Sequence, residues 1–227
     1  MPERVNAMAT PGKKSREWDG DPRLPVPPPP PISCDCQFHI YDEPAEFPPR
    51  ADAPYPPIAT ATCAAAQKMH KVIEFGRGVI VYSAIYGSNH RLLLHALEGL
   101  EDRGRYRGNS IVDDGVSDKE LERMHAAGVL GARFNFVRFL QLDQREAEVR
   151  HSMARLSELG WHARLHMHGD DLLNKSDLAL GPGLASTHCR NARRDTPLCH
   201  AILIWCVQMN CCRDPQGDSL MREVPRR

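Results

Sequence analysis

Between Pro57 and Pro182 the chain runs without a single proline. Proline breaks helices and removes a ladder hydrogen bond from strands, so this is where long regular elements can form. Its apolar pattern alternates between two periods. Ile32–Tyr41, just upstream, reads as a strand, and Thr60–Phe75 as a helix with Thr60 or Thr62 as N-cap. Gly78–Ser83 is a short, continuously apolar strand of the kind buried on both faces. Ser88–Asp102 follows as a helix, Tyr106–Val112 as a strand, and Ser117–Ala127 as a helix opened by a capping box, Ser117 with Glu120. Gly131–Phe136 is a strand, Asp143–Leu159 an amphipathic helix closed by Gly160, His162–Met167 a strand, and Gly169–Lys175 the start of another helix. Five βα units in succession imply a parallel sheet with right-handed crossovers. On pattern alone a doubly wound sheet and a (β/α) barrel both remain open. No Gly-x-Gly-x-x-Gly follows the first strand, which disfavours dinucleotide binding.

The flanks differ from this centre. Residues 1–31 are polar and then proline-rich, ending in Pro27 to Pro31, and are expected to form a disordered arm or spacer. From 176 to 227 the rhythm fades. Only Leu198–Val207 is clearly apolar, and this stretch is expected to be an atypical, poorly ordered tail, the product of an altered reading frame or splice. Lys+Arg 29 balance Asp+Glu 29, so charge gives no argument for nucleic acid or a membrane surface. No apolar run approaches the roughly 20 residues that span a bilayer, and the first residues lack the apolar core of a secretory signal. The expectation is a cytoplasmic protein. Of eight cysteines, only Cys34, Cys36 and Cys63 precede the tail, and we read the thiols as reduced. The tail's His and Cys residues lack the Cys-x-x-Cys spacing of structural zinc sites.

Side chains two apart on a strand share a face. Gln37 and His39 should therefore project together from the end of the first strand, where parallel barrels keep their active sites. Two histidines so placed would grip a metal such as zinc; here Gln37 is a poor ligand. His166 and His168 are a second such pair. His70, His90, His95, His125 and His151 fall on helices and read as packing or solvated residues.

SCDCQFHIYD resembles the opening Asp-x-His-x-His motif of amidohydrolase-type barrels. GVIVYSAIYGSNHRLLLHAL, GARFNF and WHARLHMHGDDL resemble, in order, the second, fourth and fifth strand regions of the 2-pyrone-4,6-dicarboxylate lactonase branch of that superfamily. The resemblance covers about residues 33–173. It implies a partial TIM (β/α) barrel of about five units. It also implies hydrolysis of a small carboxylated lactone or similar carbonyl substrate by water attack. By position it makes His39 and His166 the catalytic and metal-binding candidates, with a divalent metal such as zinc put in doubt by Gln37. Ser83, Tyr86, Arg133 and Arg138 become substrate contacts. Arg133 would hold a carboxylate, a task its guanidinium fork suits.

The resemblance also leads us to expect an Asp-His on a sixth strand and an acid–base Asp on an eighth. Nothing in residues 176–227 matches either. Two readings follow. One is a lactonase-like hydrolase, truncated and weakly active or inactive. The other is a non-catalytic remnant or interaction protein on a partial barrel. In both, unpaired edges are expected to drive self-association through the His162–Met167 strand.

Overall fold

A computed structural model describes residues 21–58, 61–137, 140, 145–168, 175, 178, 187–190 and 200–205. Thr60, Arg138 and most of the expected helix at Gly169–Lys175 lie outside the described residues.

Four βα repeats and a fifth strand run β1 (Cys34–Phe38), α1 (Cys63–Val72), β2 (Arg77–Val81), α2 (Arg91–Glu98), β3 (Tyr106–Ser110), α3 (Asp118–Ala126), β4 (Val129–Asn135), α4 (Glu146–Glu158) and β5 (His162–His168). A short 3₁₀ turn (Ala84–Tyr86) follows β2. Each of β2 to β5 pairs in parallel with its predecessor in the chain. A doubly wound sheet reverses its strand order at a switch point; this sheet does not, and it curls into a half-barrel with the helices outside. That resolves the alternative left open by pattern.

Two more strands extend the sheet. β6 (Thr187–Arg190) and β7 (His200–Trp205) are antiparallel to one another, and β7 runs antiparallel to β5, giving the order β1-β2-β3-β4-β5-β7-β6. The apolar stretch Leu198–Val207 thus supplies a strand. It also removes the open edge expected at His162–Met167, because β5 is paired with β4 on one side and β7 on the other. Backbone groups left bare on an apolar strand attract a partner, and the nearest one is in the same chain. Among the described strands the edges are β1 and β6.

Apolar side chains pack between sheet and helices. α2 buries Leu92, Leu93, Leu94 and Leu97 against the sheet, at roughly 2 kcal/mol each. Ala132 and Phe134 of β4 and Ala163, Leu165 and Met167 of β5 meet the same core. Trp161, fully buried, donates its Nε1–H to His125 Nδ1 at 2.9 Å. His70 sits in a second polar link. Its ring nitrogens lie 3.0 Å from the Tyr106 hydroxyl and 3.1 Å from Asp35 Oδ2, so one buried imidazole ties α1 to β1 and β3. Burial pushes the Asp35 carboxyl up, but the bond from His70 and the backbone N–H of Gln37 outweigh it and hold it below the usual range. His90 likewise meets the Ile111 carbonyl. His70 and the α2 N-cap His90 are therefore buried packing residues, while His125 is exposed and meets Trp161 from the surface.

Only half of the expected capping box forms. Ser117 Oγ accepts from the Glu120 N–H at 3.2 Å. The Glu120 carboxylate turns instead toward His90 and Arg123. Ser117→Ala should therefore cost about 1 kcal/mol, read as a shift in urea midpoint. Glu120→Gln, which keeps the backbone donor, should cost under about 0.5 kcal/mol; an equal loss in both would mean that the carboxylate matters as much as the cap.

Candidate active site

β4 and β5 carry their polar residues on one face. Gly131 pairs with His162, Arg133 with Arg164, and Asn135 with His166, while the intervening residues face the helices. The polar set lines the concave side of the half-barrel. Arg133, Asn135, Arg164 and His166 are all buried there.

Arg133 Nη2 lies 2.5 Å from His166 Nδ1. A guanidinium can only donate, so the Nδ1 lone pair accepts and the ring proton sits on Nε2. Asn135 Oδ1 stands 3.1 Å from the same nitrogen; facing an Nδ1 that accepts, the amide must turn its Nδ2–H there instead. Burial, and then the neighbouring Arg164 charge, bring Arg133 down to about 10, partly opposed by the Tyr55 and Tyr41 hydroxyls. Arg133 thus remains a cation at neutral pH. His39, beyond the end of β1, places Nδ1 2.6 Å from the Val81 carbonyl. That bond puts the proton on Nδ1 and leaves the Nε2 lone pair available. Burial holds the His39 pKa down, the Val81 carbonyl opposes this, and Arg133 and Arg164 add to the lowering.

The segment between β1 and α1 folds over the end of β2. The Arg50 N–H donates to the Ile85 carbonyl, and the Tyr55 hydroxyl lies 3.0 Å from Ser83 Oγ. Ser83 is fully buried and also reaches the Tyr41 hydroxyl at 3.5 Å. Tyr86, also buried, stacks on Tyr82 at 5.3 Å and tilts against Tyr41 at 6.3 Å. Among the expected residues, then, Arg133 meets His166, both Arg133 and His39 feel the Arg164 charge, and Ser83 joins a hydroxyl cluster. Arg138 lies outside the described residues. Tyr41, Tyr55, Asn135 and Arg164 are members that sequence reading missed.

The expected pairing of Gln37 with His39 does not hold as drawn. β1 carries a bulge between Asp35 and Phe38. Gln37 sits within it and is exposed, whereas His39 is half-buried. An extra residue in one strand breaks the simple alternation of faces. A divalent cation fits this set poorly. Among the described residues no cluster of three or more His, Cys, Asp or Glu could hold one. The two candidate imidazoles stand beside guanidiniums, and the His166 Nδ1 lone pair is already engaged. What the face offers is positive charge in a low-dielectric setting, neutral imidazoles and hydroxyl donors. These bind an anion and polarise a carbonyl.

Residues 34–191 match the family model described as Amidohydrolase. The chain belongs to the amidohydrolase family. This amidohydrolase-family chain is 30% identical over 156 residues to a 2-pyrone-4,6-dicarboxylate hydrolase from Comamonas testosteroni, covering 69% of this chain and 50% of that protein. It therefore spans about half the length of the curated relative it matches. Its fold is similar to that of a probable 2-pyrone-4,6-dicarboxylic acid hydrolase from Acinetobacter baumannii, solved with citric acid bound. There the TM-score is 0.59 at 21% identity, over 67% of this chain and 55% of that one. An apo structure from Agrobacterium tumefaciens matches with a TM-score of 0.61 at 19% identity, over 70% of this chain and 56% of that one. These two likenesses show the half-barrel fold. Among the described residues no helix is long and apolar enough to cross a membrane.

Proposed function

We propose that this amidohydrolase-family chain is lactonase-like, binding a small carboxylated lactone on its concave face with Arg133 as the carboxylate clamp. The observation that carries the reading is the buried Arg133 guanidinium, set beside Arg164 and against a neutral His166. A buried cation is costly unless something pairs with it, and a substrate carboxylate supplies two acceptor oxygens in the matching fork geometry. The name of the Comamonas relative refers to a di-acid.

In hydrolysis a water oxygen bonds to the lactone carbonyl carbon, the ring C–O bond breaks, and the water proton ends on the departing ring oxygen. His39, neutral with a lone pair on Nε2, is suited to take the proton from the water. His166, with its proton on Nε2, is suited to donate toward the carbonyl oxygen as it gains charge. Ser83 and Tyr86 complete the substrate side.

Titration calorimetry with 2-pyrone-4,6-dicarboxylate tests the clamp. Arg133→Ala should weaken binding roughly 100-fold, since two charge-assisted hydrogen bonds are lost. Equal affinity in wild type and variant would remove the role. One observation favours a second reading, a non-catalytic protein on a partial barrel: β5 is followed in the sheet by an antiparallel strand, where a closed barrel of this kind continues in parallel. Wild type that neither binds the di-acid nor hydrolyses it would favour that reading.

A further inference from the structure

We propose that Arg164 is a positioning residue that ties β1 to β5 across the concave face and so fixes where His39 stands relative to Arg133 and His166. The inference rests on the reading of that face as the substrate site. β1 and β5 are not neighbours, since β2, β3 and β4 lie between them. No ladder hydrogen bond can therefore set their separation. Ladder pairing fixes each strand against the next, but small differences in twist accumulate across an open sheet. A link across the face fixes the sum.

Arg164 has the placement for such a link. It is 3% exposed and is rooted opposite Arg133. Its Nη2–H donates to the Cys36 carbonyl at 3.2 Å, although the two residues are 128 apart in the chain. Cys36 falls in the β1 bulge, which has no register partner between Asp35 and Phe38. A bulge leaves a residue out of the regular ladder register, so the side chain of a distant residue can reach its carbonyl. The guanidinium supplies one. Its charge is also felt by Cys36, His39, Arg133 and His162, residues from both sides of the face. The bulge and the arginine thus act together: the irregular stretch of β1 is held by the guanidinium at Cys36, three residues before His39.

Amide hydrogen exchange on the full chain, together with calorimetry, tests this in wild type, Arg164→Met and Arg164→Lys. In R164M the amides of Cys34–Phe38 should exchange about tenfold faster, equivalent to ~1.4 kcal/mol, while those of Arg77–Val81 and Tyr106–Ser110 stay near wild type. Affinity for 2-pyrone-4,6-dicarboxylate should fall about tenfold in the same variant. R164K keeps a cationic donor and should return both readouts most of the way. Faster exchange confined to β4 and β5, with β1 unchanged, would overturn the proposal, because Arg164 would then only pack its own strand. Equal behaviour of R164M and R164K would also overturn it, since side-chain volume rather than the hydrogen bond would be responsible. If R164M does not fold, Arg164→Gln, polar but too short to span the face, carries the same expectation. Wild type that fails to bind the di-acid would defeat the substrate reading alone, and the exchange measurements would still decide the link.

Discussion

Replacing Gly131 with alanine should destabilise the protein by about 2–3 kcal/mol. An added Cβ would lie 2.4 Å from both Cε1 and Nε2 of His162 and 2.7 Å from its Nδ1, well inside contact distance. Neither side can yield cheaply. Gly131 sits within β4 and is paired directly with His162 on β5. The His162 ring is buried, and Asn109 Nδ2 donates to its Nε2 at 2.9 Å. Swinging the ring away would break that bond and leave a buried amide without it. The glycine is thus an empty side-chain position that the imidazole of the next strand fills. The measurement is the urea unfolding midpoint, with an unchanged slope as the check that only stability moved. The double variant Gly131→Ala/His162→Ala should lose clearly less than the sum of the single losses, because the clash disappears with the ring. Strict additivity, or a Gly131→Ala loss below about 0.5 kcal/mol, would contradict the steric account.

The same histidine should make the fold acid-sensitive. Burial, followed by the Arg164 charge, holds the His162 pKa down to about 4, with the Leu130 backbone opposing. The unfolded chain binds this proton near pH 6.5. Between those two values the unfolded state carries a proton that the folded state refuses, so stability falls as pH falls across that window and levels off below it. At about 1.4 kcal/mol per pKa unit, the loss from pH 7 to pH 4 is roughly 3 kcal/mol. His39 is shifted in the same direction and adds to the slope. Asp35, whose pKa is lowered, contributes stability that is lost only below about pH 3.8, outside this window. Unfolding free energies at several pH values between 7 and 4 test the assignment. His162→Gln should flatten most of the slope while lowering stability at pH 7. An identical slope in the variant would mean that other groups carry the acid sensitivity.

Much of this architecture is legible in the chain. The alternation of apolar runs and amphipathic segments places the first five strands and the four helices between them, with ends that shift by a few residues where caps rather than periodicity decide them. Thr62, for example, accepts from the Ala65 N–H and starts α1 at Cys63. In HARLHMH, period-two polarity already puts His162, Arg164 and His166 on one face, a signal that could have drawn attention to Arg164. The bulge in β1 was not legible, because CDCQF contains neither a glycine nor another mark of an inserted residue. Tyr41 and Tyr55 were missed because they sit in the long segment between β1 and α1 and reach Ser83 only through the folded chain. Arg133 could be singled out by resemblance, but its partner His166 depends on register between strands, which local pattern does not specify.

The direction of β7 decides what stands at the rim beside β5. A strand parallel to β5 would bring its own C-terminal end there and hand the chain to a following loop, the usual source of functional side chains in such folds. β7 does the reverse: His200, its first residue, lies opposite His168, and Trp205 lies opposite Ala163. At this side the chain arrives at the rim and descends away from it. The backbone beside β5 at this rim is therefore the start of β7, paired through Ile202 with His166, and not the C-terminal end and following loop that a parallel strand next to β5 would bring there.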